Sequence, residues 1–365
     1  MGHPLETRAR HMLERAGVDV NGRRPWDITV HNPKFYGRVL LDGSLGLGES
    51  YMDGWWECAH LDQFFDRVMS AGLDRVVARS WAAAGLWLRA TLFNRQSRRR
   101  SSAVARRHYD AGNDIFEAML GRRMVYTTGY WREAATLDAA EEAKLDCVCR
   151  KLELAPGMRV LDIGCGWGSF AQFAAERYGA RVYGITLSRE QRALGEQRCA
   201  GLPVELKLQD YREVRAGERF DRVVSLGMFE HVGYKNYRAF FEVARRVLRP
   251  DGRMYLSTIG SNRTVHTTDP WIEKYIFPNS QLPSIQQIGA AMEDHFLPLE
   301  WRDWSPDYDR TLMAWHANFA ARWEEWQRKY GLAFCRMWQY YLLASAAGFR
   351  SREMQAWQMV LDPVA

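Results

Sequence analysis

Cysteine is scarce in this chain, and the six cysteines are scattered at positions 58, 147, 149, 165, 199 and 335. None of their spacings is that of a metal site, and Cys147 and Cys149 would face different ways on a helix. We therefore expect no bound metal and a reducing compartment, the cytoplasm.

Long apolar runs are also lacking. No N-terminal segment resembles a signal peptide, and no stretch reaches the ~18 apolar residues of a membrane span. Hydrophobic residues make up 47% of the chain and charged residues 26%, which is typical of a globular protein. The 365 residues are enough for two domains, and 15 tryptophans favour a site or surface that handles apolar material.

Acidic residues are absent between Asp74 and Asp110, whereas nine arginines and several Trp, Leu and Phe residues lie there. This composition is typical of a surface that docks on anionic phospholipid headgroups, and a solvated basic linker is the alternative. We find no motif that reads nucleic acid and expect no such partner. The residues predicted to form the lipid surface are Arg95, Arg98, Arg99, Arg100, Arg106 and Arg107.

The first 94 residues are predicted to form a small domain of mixed, mainly helical structure. Helical periodicity covers 7–16 and 61–72, and 27–30 has the pattern of a strand. The glycine-rich stretch 43–48 lacks the Lys and the flanking strand of a phosphate loop, so we interpret it as a turn. We assign 95–107 to a basic linker and 108–365 to a catalytic domain.

The sequence VLDIGCGWGSF at 160–170 predicts a buried strand, a glycine turn and a helix. Such a unit begins a doubly wound sheet, which binds ligands at the carboxyl ends of its strands. The order Asp-x-Gly-x-Gly-x-Gly differs from the Gly-x-Gly-x-x-Gly of dinucleotide sites. A carboxylate here suits a ligand with an ammonium and a sulfonium, which indicates S-adenosylmethionine. The candidate contacts are Asp162, Gly164, Cys165, Gly166 and Gly168.

Strands and helices alternate after this turn, and two further helices precede it. Strands are predicted at 181–185, 204–208, 220–226 and 253–259, and helices at 115–120, 137–151, 189–199 and 237–248. On the 137–151 helix we expect Glu141, Glu142 and Lys144 on the exposed side. The series predicts an α/β fold, a Rossmann-like class I methyltransferase doubly wound sheet that follows the small N-terminal domain.

Polar residues follow the predicted strands where a cofactor would lie. Thr186, Ser188 and Gln191 could bond the ribose or the methionine group, although Ser188 could equally be a helix cap. Gln209, Asp210 and Tyr211 could contact the adenine. After the fourth strand, the segment 227–231 contains Glu230, at the place where methyltransferases carry their chemistry. The segment 124–131 fits either a strand or a loop that covers the cofactor.

The motifs GSLGLGESYMDGWWE, HYDxGND, VLDIGCGWG, LQDYR, GMFEHVG, DPWIEKYIFPN and DYDRTLMAW resemble the cyclopropane-fatty-acyl-phospholipid synthases and the related mycolic acid cyclopropane synthases. The resemblance covers nearly the whole chain. It implies methylene transfer from S-adenosylmethionine to a cis double bond of an acyl chain in membrane phospholipid. It also implies that the protein is peripheral on the inner face of the membrane. Implied cofactor contacts are Tyr126, Thr127, the 160–168 turn, Thr186, Leu187, Ser188, Gln191, Gln209, Asp210 and Tyr211, and Glu230, Ile259 and Tyr308 are implied at the reaction centre.

Two departures from the family pattern concern the base. The resemblance implies a bound bicarbonate held by Cys, Glu, His and Tyr side chains, but Thr128 and Ser257 replace the Cys and the His. Both hydroxyls can donate a hydrogen bond, and neither can carry positive charge. Three interpretations stay open: a cyclopropane synthase with an altered base site, a lipid C-methyltransferase giving methyl-branched or methylene chains, and a weakly active membrane paralogue. A preference for anionic lipid and a homodimer formed through the N-terminal domain are further expectations.

Overall fold

The computed structural model describes residues 4–73, 113–215 and 217–364. These residues fall into two compact units. The first unit contains 4–73, 266–278 and 312–354. The second contains 113–215, 217–265, 279–311 and 355–364. The first unit therefore differs from the predicted N-terminal domain by two added C-terminal segments. The predicted linker 95–107 and the start of the predicted catalytic domain at 108–112 lie outside the described residues.

The first unit is mainly helical, and its predicted helices and strand are observed. Within residues 4–73 its elements are α1 (Pro4–Arg15), β1 (Ile28–Val30), α2 (Lys34–Asp42), α3 (Ser44–Met52), β2 (Trp56–Cys58) and α4 (Leu61–Ser70). Strands β1 and β2 pair in antiparallel fashion. The core is aromatic: Trp56 is fully buried against Phe35, Phe64 and Tyr51.

The prediction of a turn at 43–48 is wrong, because only Gly43 turns, at φ +64°, and α3 begins at Ser44. The glycines of this stretch serve close packing instead. A Cβ at Gly46 would collide with the backbone carbonyl of Arg38, and one at Gly48 would collide with the Trp271 ring. Glycine is unfavourable inside a helix, so local propensity alone could not reveal a helix whose glycines are required by its neighbours.

The second unit alternates strands and helices. In chain order its elements are α5 (Asn113–Met119), α6 (Leu137–Lys151), β3 (Arg159–Ile163), α7 (Ser169–Tyr178), β4 (Arg181–Thr186), α8 (Arg189–Arg198), β5 (Val204–Leu208), β6 (Phe220–Leu226), α9 (Tyr237–Val247) and β7 (Leu248–Gly260). Further along the chain come α10 (Pro270–Tyr275), α11 (Ile285–Met292), β8 (Phe296–Asp303), α12 (Ser305–Ala320), α13 (Trp323–Tyr330), α14 (Leu332–Arg350) and β9 (Gln355–Pro363). Of these, α10, α13 and α14 belong to the first unit, and α12 begins in the second.

One sheet of seven strands organises the second unit, in the order β5-β4-β3-β6-β7-β9-β8. The first five strands are parallel, while β9 pairs antiparallel with both β7 and β8. Strand residues alternate between two cores, with Leu161 and Val223 on one face and Val160 and Val224 on the other. The predicted doubly wound α/β class is confirmed. The antiparallel strands β8 and β9 were not among the predicted strands, the last of which was 253–259.

Helix α6 has the predicted bounds, but the prediction that Glu141 and Lys144 are exposed is wrong, since both are fully buried.

Within residues 4–73, 113–215 and 217–364 no helix is both long enough and apolar enough to cross a membrane.

Candidate cofactor and reaction site

The three glycines of the turn after β3 all have positive φ, at +86° for Gly164, +55° for Gly166 and +77° for Gly168. A Cβ at Gly164 would lie 2.6 Å from the Met228 Cβ, and one at Gly168 would lie 3.1 Å from the Cys199 Sγ. A Cβ at Gly166 would meet no described protein atom within 4 Å. The outer two glycines therefore serve packing, and Gly166 leaves backbone open to a ligand.

The turn is anchored to the end of β4. The backbone N–H groups of Gly164 and Cys165 both donate to the Ile185 carbonyl, at 2.9 and 3.0 Å. The Cys165 side chain is buried, and burial raises the pKa of its thiol well above the ordinary value. Cys165 is therefore a buried, neutral thiol and not a reactive thiolate.

Asp162, at the end of β3, is 1% exposed, and its Oδ2 has no hydrogen-bond partner among the described residues. Burial raises the pKa of Asp162 to about 7, and the charge of Lys144 opposes this rise. Lys144 in turn is fully buried and donates from Nζ to Thr127 Oγ1 at 2.7 Å. Burial lowers its pKa to about 8.

The sequence interpretation missed Lys144, although a signal was present. Its position and those of Glu141, Leu145 and Val148 repeat at i, i+3, i+4 and i+7, and all four side chains are buried. That spacing is the apolar face of a helix. A lysine and a glutamate on that face indicate buried charge, not a solvated side.

At the end of β4 the predicted polar residues bond one another. Thr186 Oγ1 donates to Gln191 Oε1 at 2.9 Å, and Ser188 Oγ accepts from the Gln191 N–H at 3.2 Å. Ser188 is thus the N-cap of α8, which was one of the two interpretations of this residue. All three side chains are buried, and the intervening Leu187 is half-buried.

At the end of β5, Gln209 and Asp210 also have internal partners. The Gln209 N–H donates to the Thr186 carbonyl at 3.0 Å, and Gln209 Oε1 accepts from the Tyr183 hydroxyl at 2.8 Å. Asp210 accepts from Arg212 at 2.8 and 2.6 Å. Tyr211 is buried in the core beneath Phe240. The strand ends β4 and β5 are therefore joined at one edge of the sheet, as a cofactor site of this fold requires.

Glu230 follows β6 and is directly joined to β7. The Ile259 N–H donates to Glu230 Oε1 at 2.6 Å, while Oε2 has no hydrogen-bond partner among the described residues. The side chain is 6% exposed. Burial raises the pKa of Glu230 to about 7, against the lowering effect of the Ile259 N–H and the Thr258 hydroxyl. Such a carboxyl can exchange a proton near neutral pH.

Ser257 and Ile259 lie on β7, two positions apart and therefore on the same face of the strand. The Gly227 N–H donates to the Ser257 carbonyl at 2.9 Å, which ties the segment carrying Glu230 to this strand. The structure thus brings Glu230, Ser257 and Ile259 to one corner of the sheet.

The segment 124–131 is a loop, the second of its two predicted forms. The Thr127 methyl group packs against Gly227. A Cβ at Gly227 would lie only 2.5 Å from this methyl group. The Thr128 side chain is buried, and its hydroxyl donates to the Gly129 carbonyl at 2.8 Å. The Tyr126 ring packs edge-on against Phe116 with the centroids 5.1 Å apart.

The other end of this loop is fastened to α12. The Gly129 N–H donates to Thr311 Oγ1 at 2.9 Å, and the Trp131 N–H donates to Asp307 Oδ1 at 2.6 Å. Tyr308, the next residue after Asp307, is buried at 9% exposure. The loop therefore runs from the end of β6 to the helix that carries Tyr308. The predicted lipid-surface arginines lie outside the described residues.

Comparisons with known proteins agree with this geometry. The family model described as "Mycolic acid cyclopropane synthetase" matches residues 96–359. The cyclopropane-fatty-acyl-phospholipid synthase of Escherichia coli K12 is 51% identical over 354 residues, covering 97% of this chain and 92% of the relative. The tuberculostearic acid methyltransferase UfaA1 of Mycobacterium tuberculosis is 35% identical, covering 92% of this chain and 82% of the relative.

Solved structures give the same result. The mycolic acid cyclopropane synthase CmaA1 complexed with SAH and CTAB has a TM-score of 0.67 at 31% identity, covering 71% of this chain and 97% of the other. The cyclopropane synthase MmaA2 from Mycobacterium tuberculosis also has a TM-score of 0.67, at 29% identity and the same coverage. The glycine turn, the buried Glu230 and these matches together show that the chain belongs to the mycolic acid cyclopropane synthetase family.

Proposed function

We propose that the chain transfers a methylene group from S-adenosylmethionine to the cis double bond of an unsaturated acyl chain in membrane phospholipid, forming a cyclopropane fatty acid. The observation that carries this proposal is Glu230, a buried carboxyl with one oxygen unpartnered among the described residues and a pKa of about 7. Its place at the carboxyl end of the sheet, in a chain 51% identical to a cyclopropane-fatty-acyl-phospholipid synthase, supports a role as base.

The residues at the strand ends fit the cofactor. Open space above Gly166 lets backbone approach a ligand, and the buried Asp162 oxygen without a hydrogen-bond partner among the described residues can accept from the cofactor's ammonium. S-adenosylmethionine supplies an electrophilic methyl group on a positively charged sulfur. We assign the methionine end to the 162–168 turn, and the ribose and adenine to Thr186–Gln191 and Gln209–Tyr211.

The chemistry requires a dry site with a base close to the transferred carbon. An alkene is a weak nucleophile, so its π electrons must be held in line with the methyl group and away from water. Attack would form one C–C bond while the bond between the methyl carbon and sulfur breaks; its electron pair would stay on sulfur, giving S-adenosylhomocysteine and a cation on the acyl chain. Glu230 then removes a proton from the new methyl group, and the electron pair of that C–H bond closes the ring. Tyr308 is proposed to face the cation with its aromatic ring.

The identity of the base is a finer question, and we propose that Glu230 itself takes the proton. The Thr128 hydroxyl already donates to the Gly129 carbonyl, and the Ile259 N–H already donates to Glu230. Both groups would have to change partners to hold a bicarbonate. A bicarbonate or water held by Glu230 and Tyr308, with Thr128 and Ser257 as hydroxyl donors, is the alternative.

The lipid partner follows from the reaction. We propose that the protein binds the inner face of the membrane through Arg95–Arg107, with a preference for anionic lipid, and that the N-terminal domain predicted at 1–94 mediates a homodimer. The composition of 75–107 supports the lipid surface. All six cysteines are free thiols, which supports a reducing compartment.

A second candidate is a lipid C-methyltransferase. It is favoured by Thr128 and Ser257, which replace the Cys and His of the family pattern, and by the 35% identity to a tuberculostearic acid methyltransferase. In this reaction the cation loses its proton elsewhere and gives a methyl-branched or methylene chain.

Lipid analysis of a host that makes unsaturated phospholipid but no cyclopropane separates the candidates. We expect wild type to give acyl chains heavier by one CH2 that resist mild hydrogenation, as a cyclopropane does. The double variant Thr128→Cys with Ser257→His should give more of this product or a stronger response to added bicarbonate. If wild type gave only hydrogenatable methylene chains and the double variant gave rings, the second candidate would be correct.

A further inference from the structure

Lys144 is a buried charge that the reaction described above does not use. Its side chain is fully buried in α6, and its ammonium donates to Thr127 Oγ1 at 2.7 Å. An ammonium inside a protein is unfavourable unless opposite charge and hydrogen bonds compensate for lost water. The position of this group therefore needs a reason beyond packing.

Two buried carboxylates supply the compensation, one from α6 itself and one from β3. Glu141, one turn earlier on α6, accepts from the Gly121 N–H at 2.9 Å and has its Oε2 without a hydrogen-bond partner among the described residues. Asp162 lies on β3, and its Oδ2 also has no hydrogen-bond partner among the described residues. The charges of both carboxylates favour the charged form of Lys144.

The other titratable groups around this cluster are weaker influences. Cys147 on α6 also acts on Lys144, and Asp138 acts on Glu141. From the other elements, the Cys165 and Cys199 thiols lie within electrostatic reach of Asp162, and both have raised pKa values because of burial. Arg198 is within reach of Glu141. Lys144 is the cation that acts on Asp162.

We propose that Lys144 is a positioning residue of the cofactor site, which keeps Asp162 ionised for the cofactor's ammonium and holds Thr127 over the end of β6. The proposal rests on the assignment of the glycine turn to the cofactor. Its two parts have different consequences. The charge acts on Asp162 through space, whereas the hydrogen bond orients Thr127, whose methyl group already packs at Gly227.

The charge effect predicts a specific pH dependence. If Lys144 became neutral, Asp162 would hold its proton to higher pH, since burial alone disfavours the carboxylate. The cofactor's ammonium then has to displace that proton. Apparent affinity would fall tenfold for each pH unit below the pKa of Asp162. A rise of one unit or more in that pKa makes binding at pH 7 weaker by about fivefold or more.

The test is calorimetry of S-adenosylhomocysteine, which retains the ammonium, binding to the purified full chain between pH 6 and 8.5. For Lys144→Met we expect the midpoint of the affinity profile to rise by at least one pH unit relative to wild type. Thr127→Val should weaken binding at every pH without moving the midpoint. Lys151→Met, on the same helix but paired with Glu300 at the surface, should match wild type.

A folded Lys144→Met protein with the wild-type midpoint would overturn the proposal. If Lys144→Met did not fold, Asp162→Asn would be measured in its place. This variant should lose the midpoint that wild type shows in its profile of affinity against pH. A profile that kept this midpoint would refute the role of Asp162. The double variant of Lys144→Met with Asp162→Asn should likewise show no pH dependence from this pair. Wild-type protein that failed to bind S-adenosylhomocysteine at all would instead count against the proposed function.

Discussion

Replacing Glu230 with Gln is expected to abolish product while making the fold more stable above neutral pH. The reason is the buried carboxyl, whose pKa rises from 4.5 to about 7 because it has lost water. Above pH 4.5 the unfolded chain releases this proton and the folded chain keeps it, so the folded state loses stability as the pH rises toward 7.

The magnitude follows from the same two values. Each pKa unit corresponds to about 1.4 kcal/mol, so ionising Glu230 costs the wild-type fold about 3 kcal/mol between pH 4.5 and 7. Gln has no such cost. Its Oε1 can still accept from the Ile259 N–H, while its amide nitrogen takes the place of an oxygen that has no hydrogen-bond partner among the described residues. That nitrogen adds a pH-independent penalty of about 1–3 kcal/mol. The slope with pH is therefore the quantity to compare.

The assay is urea unfolding of wild type and Glu230→Gln at pH 5, 6, 7 and 8, with lipid analysis of cells at matched expression. Between pH 5 and 7 the variant should gain about 2 kcal/mol in total relative to wild type. Glu293→Gln, a change at an exposed position, should show no such gain. Parallel stability curves for wild type and Glu230→Gln would refute the buried-carboxyl argument, and wild-type amounts of cyclopropane from the variant would refute its role as base.

Two further predictions concern binding. Gly166→Val should abolish S-adenosylmethionine binding by calorimetry, because its methyl groups would occupy the space left for the ligand; Gly166→Ala, with a single methyl group at the same positive φ, should bind more weakly than wild type but measurably. A folded Gly166→Val with wild-type affinity would contradict the site. Replacing Arg98, Arg99 and Arg100 with Gln should weaken vesicle co-sedimentation by about 1 kcal/mol per arginine and reduce its salt dependence. If neither the substitutions nor added salt changed vesicle binding, this segment would be a solvated linker and not a lipid-binding surface.

The parallel half of the sheet could be predicted from the sequence because the apolar runs and the turn residues that bound them indicate the same strands. Strands β5 and β6 have the predicted bounds, and β3 is an apolar run that ends in glycines. Strand β9 could not be separated from its surroundings in this way. Its residues are nearly all buried on both faces, so it shows no alternation, and it follows a long aromatic helix. Strand β8 contains Pro298, which weakens any strand prediction.

The sequence places the turn residues and polar groups of the candidate site at the strand ends, because these are local features; their contacts with a cofactor stay a prediction. What the sequence could not give is which side chains meet across elements. The contact of Lys144 with Thr127 joins residues 17 positions apart on different elements. Likewise, only the fold reveals that the Ile259 N–H donates a hydrogen bond to Glu230.

The position of β9 between β7 and β8 also bears on how the chain is made. Synthesis reaches β7 and β8 first, and the strand that separates them emerges only after α12, α13 and α14. Until then, β7 presents an unpaired edge that can recruit another strand. The late stretch 312–354 also completes the first unit, which begins near the N-terminus. The first unit is therefore completed by 312–354 and the second by β9, so a nascent chain shorter than 312 residues lacks the closing segments of both units and is exposed to aggregation.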